Sequence, residues 1–127
     1  MNKAATILKT YPKRKRSRLE RKQYLILAIA YDKRGRIIAK RTNSYNQSHP
    51  LQKHFAELVG KPESIYLHAE IATLIAAKQV VHKLVIARLG QEGQILNSKP
   101  CEICQRAIEA FGVKEVEYTT DDGTSFL

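Results

Sequence analysis

Two short stretches hold the residue types able to do metal chemistry. "HAE" at His68 to Glu70 carries one of only four histidines, and "PCEIC" at Pro100 to Cys104 carries both cysteines, the first of them 33 positions after that histidine. Cysteines three apart in the first turn of a helix face the same way, and the free N–H groups and positive dipole end of that turn favour their thiolate form. Pro100 suits the position just before such a turn, because a missing N–H costs nothing there. A disulfide within the pair would staple little of the chain, so metal binding or redox chemistry explains the spacing better. If His68 meets the cysteines, one nitrogen and two sulfur donors suit Zn²⁺ and leave its fourth position open to water. Two thiolates cancel the formal charge of the metal and acidify that water less than three neutral histidines would. A nearby base then matters, and Glu70, in the same first turn as His68, is placed to accept the proton and return it to a leaving group. Two other readings compete. A redox dithiol needs a thioredoxin-like surround, which no second motif supports, and a structural zinc needs a fourth protein ligand, His49, His54 or His82, which would close the site. Taken singly, Glu70 is a favourable charge at a helix start and Asn43 a turn residue.

The elements that must position these residues can be read from hydrophobic periodicity. "YLILAIAY" at Tyr24 to Tyr31 reads as a buried strand, "DKRGR" as a turn with Gly35, and "IIAKRT" as the returning strand of a hairpin. "NSYNQSHP" at Asn43 to Pro50 is a polar loop; Pro50 opens a helix that Gly60 stops. From His68 the apolar spacing of Ile71, Leu74 and Ile75 predicts a central helix, extending through "KQVV". "KLVIARL" at Lys83 to Leu89 is a third strand, and Pro100 introduces a helix whose stripe is Ile103, Ala107, Ile108 and Phe111 and which Gly112 ends. "VKEVEYTT" is a fourth strand, and "DDGTSFL" a tail beyond it. The order β, β, α, α, β, α, β predicts an α/β fold with a mixed sheet covered by helices. Helices entering from one sheet edge bring their N-termini, and so the three ligands, together.

At 127 residues the chain fits one domain with a core of its own. The longest apolar run is far shorter than the roughly 20 residues that span a bilayer, and no secretory signal is visible, so a cytoplasmic protein with no membrane association is expected. Net charge is +10, of which the run "KRKRSRLERK" at Lys13 to Lys22, seven basic residues and one acidic, carries +6. Such a run is either a solvated arm or a surface for the phosphates of a nucleotide or nucleic acid. Residues 1–23 accordingly read as a basic N-terminal segment with weak helical character over the first ten, and 24–127 as the domain.

"HAE" with "PCEIC" matches the H-x-E and P-C-x-x-C pair of zinc deaminases, and with the strand and helix order over residues 24–120 the chain resembles the cytidine and deoxycytidylate deaminase-like superfamily. The resemblance implies a three-layer α/β/α cytidine deaminase-like fold with zinc as cofactor, bound by His68, Cys101 and Cys104. It implies hydrolytic deamination of a cytosine nucleoside or nucleotide by zinc-activated hydroxide, with Glu70 as proton shuttle. It also implies that Asn43, with Asn46 as fallback, contacts the sugar or the surroundings of the base, that the backbone N–H of Ala69 meets the base carbonyl, that Tyr45 and His49 line the mouth, and that the protein is a homo-oligomer. His82 reads as structural, His54 and Tyr66 as packing or surface residues. A histidine as first ligand points away from free-cytidine enzymes toward deoxycytidylate, tRNA adenosine and polynucleotide deaminases. Two cysteines leave no ligands for a second zinc site. The chain stops soon after the fourth strand, whereas many relatives continue with a fifth strand and closing helix. A polynucleotide deaminase reading, cytosine or adenine, would use residues 13–22 to track the backbone; few aromatics near the mouth and no Trp weigh against it. A zinc-stabilised nucleic-acid-binding module without catalysis is the reading of another class.

Overall fold

The computed structural model describes residues 2–9, 25–90 and 92–127; the basic run at 13–22, and the nucleic-acid contact expected of it, lie outside the described residues. Strand β1 (Leu25–Tyr31) is the middle of the hydrophobic pattern and is buried on both faces. Leu27 and Ile29 face one layer while Ala28 and Ala30 face the other. The chain reverses at Asp32, whose carboxylate accepts from the backbone N–H groups of Arg34 and Arg36, and returns antiparallel as β2 (Ile37–Thr42) with a bulge at Ala30/Tyr31.

On its other side β1 pairs antiparallel with β3 (Lys83–Leu89), which pairs in parallel with β5 (Glu115–Thr120). Two further strands complete the sheet. β4 (Ile95–Leu96) adds to β3 at Arg88 and Leu89, beyond Ile86, the last residue of β3 that β5 pairs. β6 (Gly123–Phe126) folds back antiparallel on β5, giving the order β2-β1-β3-β5-β6. The expected tail therefore continues the sheet: Asp121 and Asp122 make the tight turn, and Gly123 opens a strand paired from Thr120 to Glu117.

Helices cover both faces, so the layers are α/β/α with a mixed sheet, as expected. Helix α1 (Lys3–Leu8) lays Ala4, Ala5 and Leu8 on Leu27, Ile29, Val85, Ala87 and Leu89. Asn2 fixes it twice, accepting from Ala5 N–H at 2.7 Å and donating to Ile86 O at 3.0 Å. Residues 2–9 of the expected N-terminal segment thus share the core of the domain that follows. Helices α2 (Pro50–Leu58), α3 (Ala69–Ala77) and α4 (Glu102–Ala110) lie on the opposite face, where Ala28, Ala30, Ala69 and Ala107 permit close approach between helix and strand. Pro50 is at the first turn of α2, and Gly60 and Gly112, both at positive φ, close α2 and α4 with paired reverse hydrogen bonds. The central helix is shorter than its pattern suggests. It ends at Ala77 because Lys78 turns left-handed at φ 53°, after which Val80 is exposed and only Val81 returns to the core. Among the described residues no helix is long and apolar enough to cross a membrane.

Candidate metal centre and its cavity

His68 is the N-cap of α3 and Cys101 the N-cap of α4. An N-cap side chain projects past the helix end, so two helices starting at the same edge of the sheet present imidazole and thiol to one another. Cys104, three residues into α4, turns the same way from a fully buried position. The result is one cluster: His68 Nδ1 lies 3.2 Å from Cys104 Sγ and 3.5 Å from Cys101 Sγ, and all three donor atoms fall within 4.8 Å of one another. A tetrahedral zinc with ordinary bond lengths places nitrogen and sulfur ligands about 3.6 Å apart. The donor set and its spacing therefore fit zinc. Among the described residues no fourth histidine or acid joins the cluster, so His49, His54 and His82 do not close it.

The protonation pattern without metal follows from the same contacts. A hydrogen bond from the Cys104 thiol, with His68 beside it, brings the Cys101 thiol down to about 4 against the opposing effect of burial. Donating that bond, and being buried, pushes the Cys104 thiol well above its ordinary value. Cys101 in turn raises His68, against burial. Glu70 is 5% exposed; burial raises its carboxyl, partly offset by a hydrogen bond from its own backbone N–H.

Three polar supports hold the two helix starts. Gln52, fully buried in α2, accepts from the backbone N–H of His68 and donates to Ser64 O, both at 3.1 Å. Ser98 donates to Ile86 O and accepts from Thr119 N–H and the Thr119 hydroxyl, pinning the loop before Cys101 to β3 and β5. Gln105 donates back to Pro100 O at 2.8 Å.

A cavity of about 460 Å³ opens over the cluster, lined by His68, Glu70 and Cys101 at its polar end, a size typical of small-molecule sites. Asn43 lines it too, with its Oδ1 accepting from Ile26 N–H at 2.8 Å. Ala69 is fully buried and does not line it; Asn46 stands outside, bonded to Ser44. Tyr45 is at the mouth as expected, but His49 is not, because its Nδ1 accepts from Leu51 N–H as the cap of α2. Tyr66, expected to be a packing or surface residue, lines the cavity while 51% exposed. Arg88, Ser98 and Lys99 also line it and were not singled out by sequence. Lys99 and Ser98 could have been found from their place just ahead of the Pro-Cys pair. Arg88 could have been found from its parity with Leu84 and Ile86 on the helix-covered face of β3.

A search of curated proteins finds no match. The family model described as "Cytidine and deoxycytidylate deaminase zinc-binding region" matches residues 2–120, and with it the cluster of one histidine and two cysteines acquires its context: the chain belongs to the cytidine and deoxycytidylate deaminase family, a family of zinc-dependent deaminases.

Proposed function

We propose that the protein hydrolytically deaminates a cytosine nucleoside or nucleotide, releasing ammonia and leaving the uracil base. The observation that carries this reading is a buried carboxylate, Glu70, beside a three-donor metal cluster at the end of a cavity of ligand size. A zinc ion held by His68, Cys101 and Cys104 would supply the Lewis acidity that makes water nucleophilic near neutral pH. Glu70 takes the proton released from that water and passes it to the ring nitrogen next to the amino-bearing carbon. It then delivers the second proton to the departing amino group. A carboxyl raised by burial is suited to this exchange, because its affinity for the proton lies nearer to that of the groups it serves. With the Asn43 carbonyl engaged by Ile26, its amide NH₂ is the donor it offers a sugar hydroxyl.

Tyr45 and Tyr66, 41% and 51% exposed at the mouth, favour a second reading in which flanking bases of a single strand stack on them. The test is ammonia release by zinc-loaded protein from cytidine, deoxycytidine, their monophosphates, adenosine and short single-stranded oligonucleotides. Turnover of a cytosine monomer is expected, with a loss of roughly 10²–10⁴-fold in Glu70→Gln that still binds zinc. Undiminished activity in that variant overturns the mechanism.

A further inference from the structure

The end of the sheet away from the metal cluster has no part in the mechanism above. There β1 finishes at Tyr31 and β2, β3 and β5 begin, side by side: Tyr31 pairs with Ile37 and Lys83, and Lys83 with Glu115. His82 ties the row together, its N–H donating to Tyr31 O and its carbonyl accepting from the N–H groups of Lys114 and Glu115. Helices α3 and α4, which start at the metal ligands, run nine residues each toward this end and lead into Lys78 and Lys114, which sets it about 14 Å behind the cluster.

Outside the run at 13–22 the chain carries a net charge of +4. The hairpin turn brings Lys33, Arg34 and Arg36 to this end, and Lys83 and Lys114 stand at the starts of β3 and β5. With Lys3 and Lys78 these make seven cations against three acids, Asp32, Glu115 and Glu117, so the whole +4 sits here and the rest of the described chain is neutral. Two of the acids are already engaged, Asp32 by Arg36 at 2.7 Å and Glu117 by Lys83 at 3.3 Å, and Glu115 lies 3.9 Å from His82. Lys3, Lys33, Arg34, Lys78 and Lys114 are exposed, and no carboxylate among the described residues pairs with them. A cleft of about 470 Å³ opens in their midst, walled by Asn2, Lys3, Tyr31, Lys33 and Lys83. Like charges gathered in one place repel, and the fold gains nothing from them. Lys78 and Lys114 follow helix carboxyl ends, where a cation is favourable, but Lys3 sits in the first turn of α1, where the dipole opposes it, and the hairpin turn has no dipole to complement.

We propose that this end is a docking surface for the phosphodiester backbone of a single-stranded nucleic acid, separate from the metal centre and from residues 13–22. Four strands about 4.8 Å apart spread the cations over about 14 Å, room for several phosphates. A cleft with lysines and a tyrosine in its wall admits a single strand, and suits it better than a duplex or the plane of a bilayer. A strand held here is anchored behind the cavity rather than in it, whether or not the protein is a deaminase.

The experiment measures anisotropy of a short fluorescent oligouridine, which offers no cytosine to the cavity, across a salt series. The protein is the full zinc-loaded chain carrying Lys13→Gln with the six other basic residues of the run changed likewise, so that the run contributes no cation. Five unpaired cations predict that log K falls with log salt at a slope of about −3.5. Lys33→Gln with Arg34→Gln, and separately Lys78→Gln with Lys114→Gln, each remove two contacts. Each pair should make the slope shallower by about 1.4 and weaken binding by roughly 10–30-fold at about 0.1 M salt. Lys53→Gln with Arg106→Gln makes the same change of charge on α2 and α4 and should leave slope and affinity nearly unaltered. All six positions are exposed, so none of these variants opens the core. Equal losses in the docking-surface pairs and the control pair would report net charge alone and overturn the surface, as would loss of all binding once the run is neutralised. Binding to phosphatidylserine vesicles that depends on Lys33 and Arg34, with none to the oligouridine, overturns it in favour of a membrane.

Discussion

Replacing Gln52 with leucine removes two hydrogen bonds while nearly preserving the volume of a fully buried side chain. The groups left behind are the backbone N–H of His68 and the carbonyl of Ser64, each now 3.1 Å from its partner atom. An unsatisfied buried backbone group costs about 1–3 kcal/mol. With His68 and Ser64 only partly buried, the lower half of that range applies to each, so the variant should lose about 2–4 kcal/mol. For a domain of this size that lowers Tm by roughly 8–16 °C. Because the freed N–H belongs to the cap residue that carries the imidazole, zinc affinity should fall as well, by roughly 10–100-fold, as happens when outer partners of ligands are lost. Chemical unfolding with zinc chelated reads the first effect, and competition with a metal-sensitive dye reads the second. Gln52→Glu makes the same contacts depend on protonation. A protonated glutamic acid can accept from His68 and donate to Ser64 O, whereas the carboxylate cannot donate. Burial raises its folded pKa above the unfolded value of about 4.3. The stability it contributes is therefore fully present below that unfolded value and is lost as pH rises through the folded pKa, so Gln52→Glu should approach wild type in acid and fall away from it toward neutrality. Wild-type stability and zinc affinity in Gln52→Leu, or a Gln52→Glu deficit that does not change with pH, would refute the reasoning.

Three other expectations follow from contacts already described. Ser98→Ala strips the acceptor from Thr119 N–H, while the Thr119 hydroxyl keeps Leu96 O, and should cost about 1–3 kcal/mol in urea unfolding; a neutral result would mean that water replaces the serine. Asp32 accepts from two backbone N–H groups and from Arg36 Nε at 2.7 Å, the backbone bond from Arg36 being the main cause of its lowered pKa. Its stabilisation is present above the unfolded pKa and is lost as pH falls through the folded one, so wild type and Asp32→Asn should differ near neutrality and converge below about pH 4; a gap that persists in acid contradicts this. The Lys61–Glu102 pair, 3.5 Å apart and mostly exposed, should be worth almost nothing, and Glu102→Gln should leave thermal stability within about 0.5 kcal/mol of wild type.

The metal cluster was legible in the sequence because its chemistry is local: His68 and Glu70 share one turn, Cys101 and Cys104 another, and each motif announces its own helix start. The long strands were equally legible, since β1 and β3 are buried on both faces and read as unbroken apolar runs. What could not be read depends on contacts between distant segments. The two residues of β4 are too few to show alternation, and the Gly-Thr-Ser-Phe of β6 has no apolar period; both exist because β3 and β5 offer them an edge. Helix α1 has only six residues, and nothing in Lys3–Leu8 says which surface it will cover. Gln52 looks like a polar position on an amphipathic helix, yet it faces inward because His68 and Ser64 satisfy both ends of its amide. Tyr66 likewise reads as an outward residue of a loop until the cavity it lines is known.

The docking of α1 also sets a schedule for the chain as it is made. Its seat is shared between β1 and β3, and Asn2 donates to Ile86, 84 residues further along. Helix α1 is synthesised first, but half of the surface it covers does not exist until the ribosome has passed Leu89, several seconds later at about 5–20 residues per second. The β1–β2 hairpin can close in the meantime, with Leu27 and Ile29 bare on one face. The metal ligands are later still, since His68 waits for Cys104. Nascent chains arrested before that point should present an apolar sheet to chaperones and hold no zinc, and the two clocks, for covering the sheet and for loading the metal, run out only once Leu89 and Cys104 have been made.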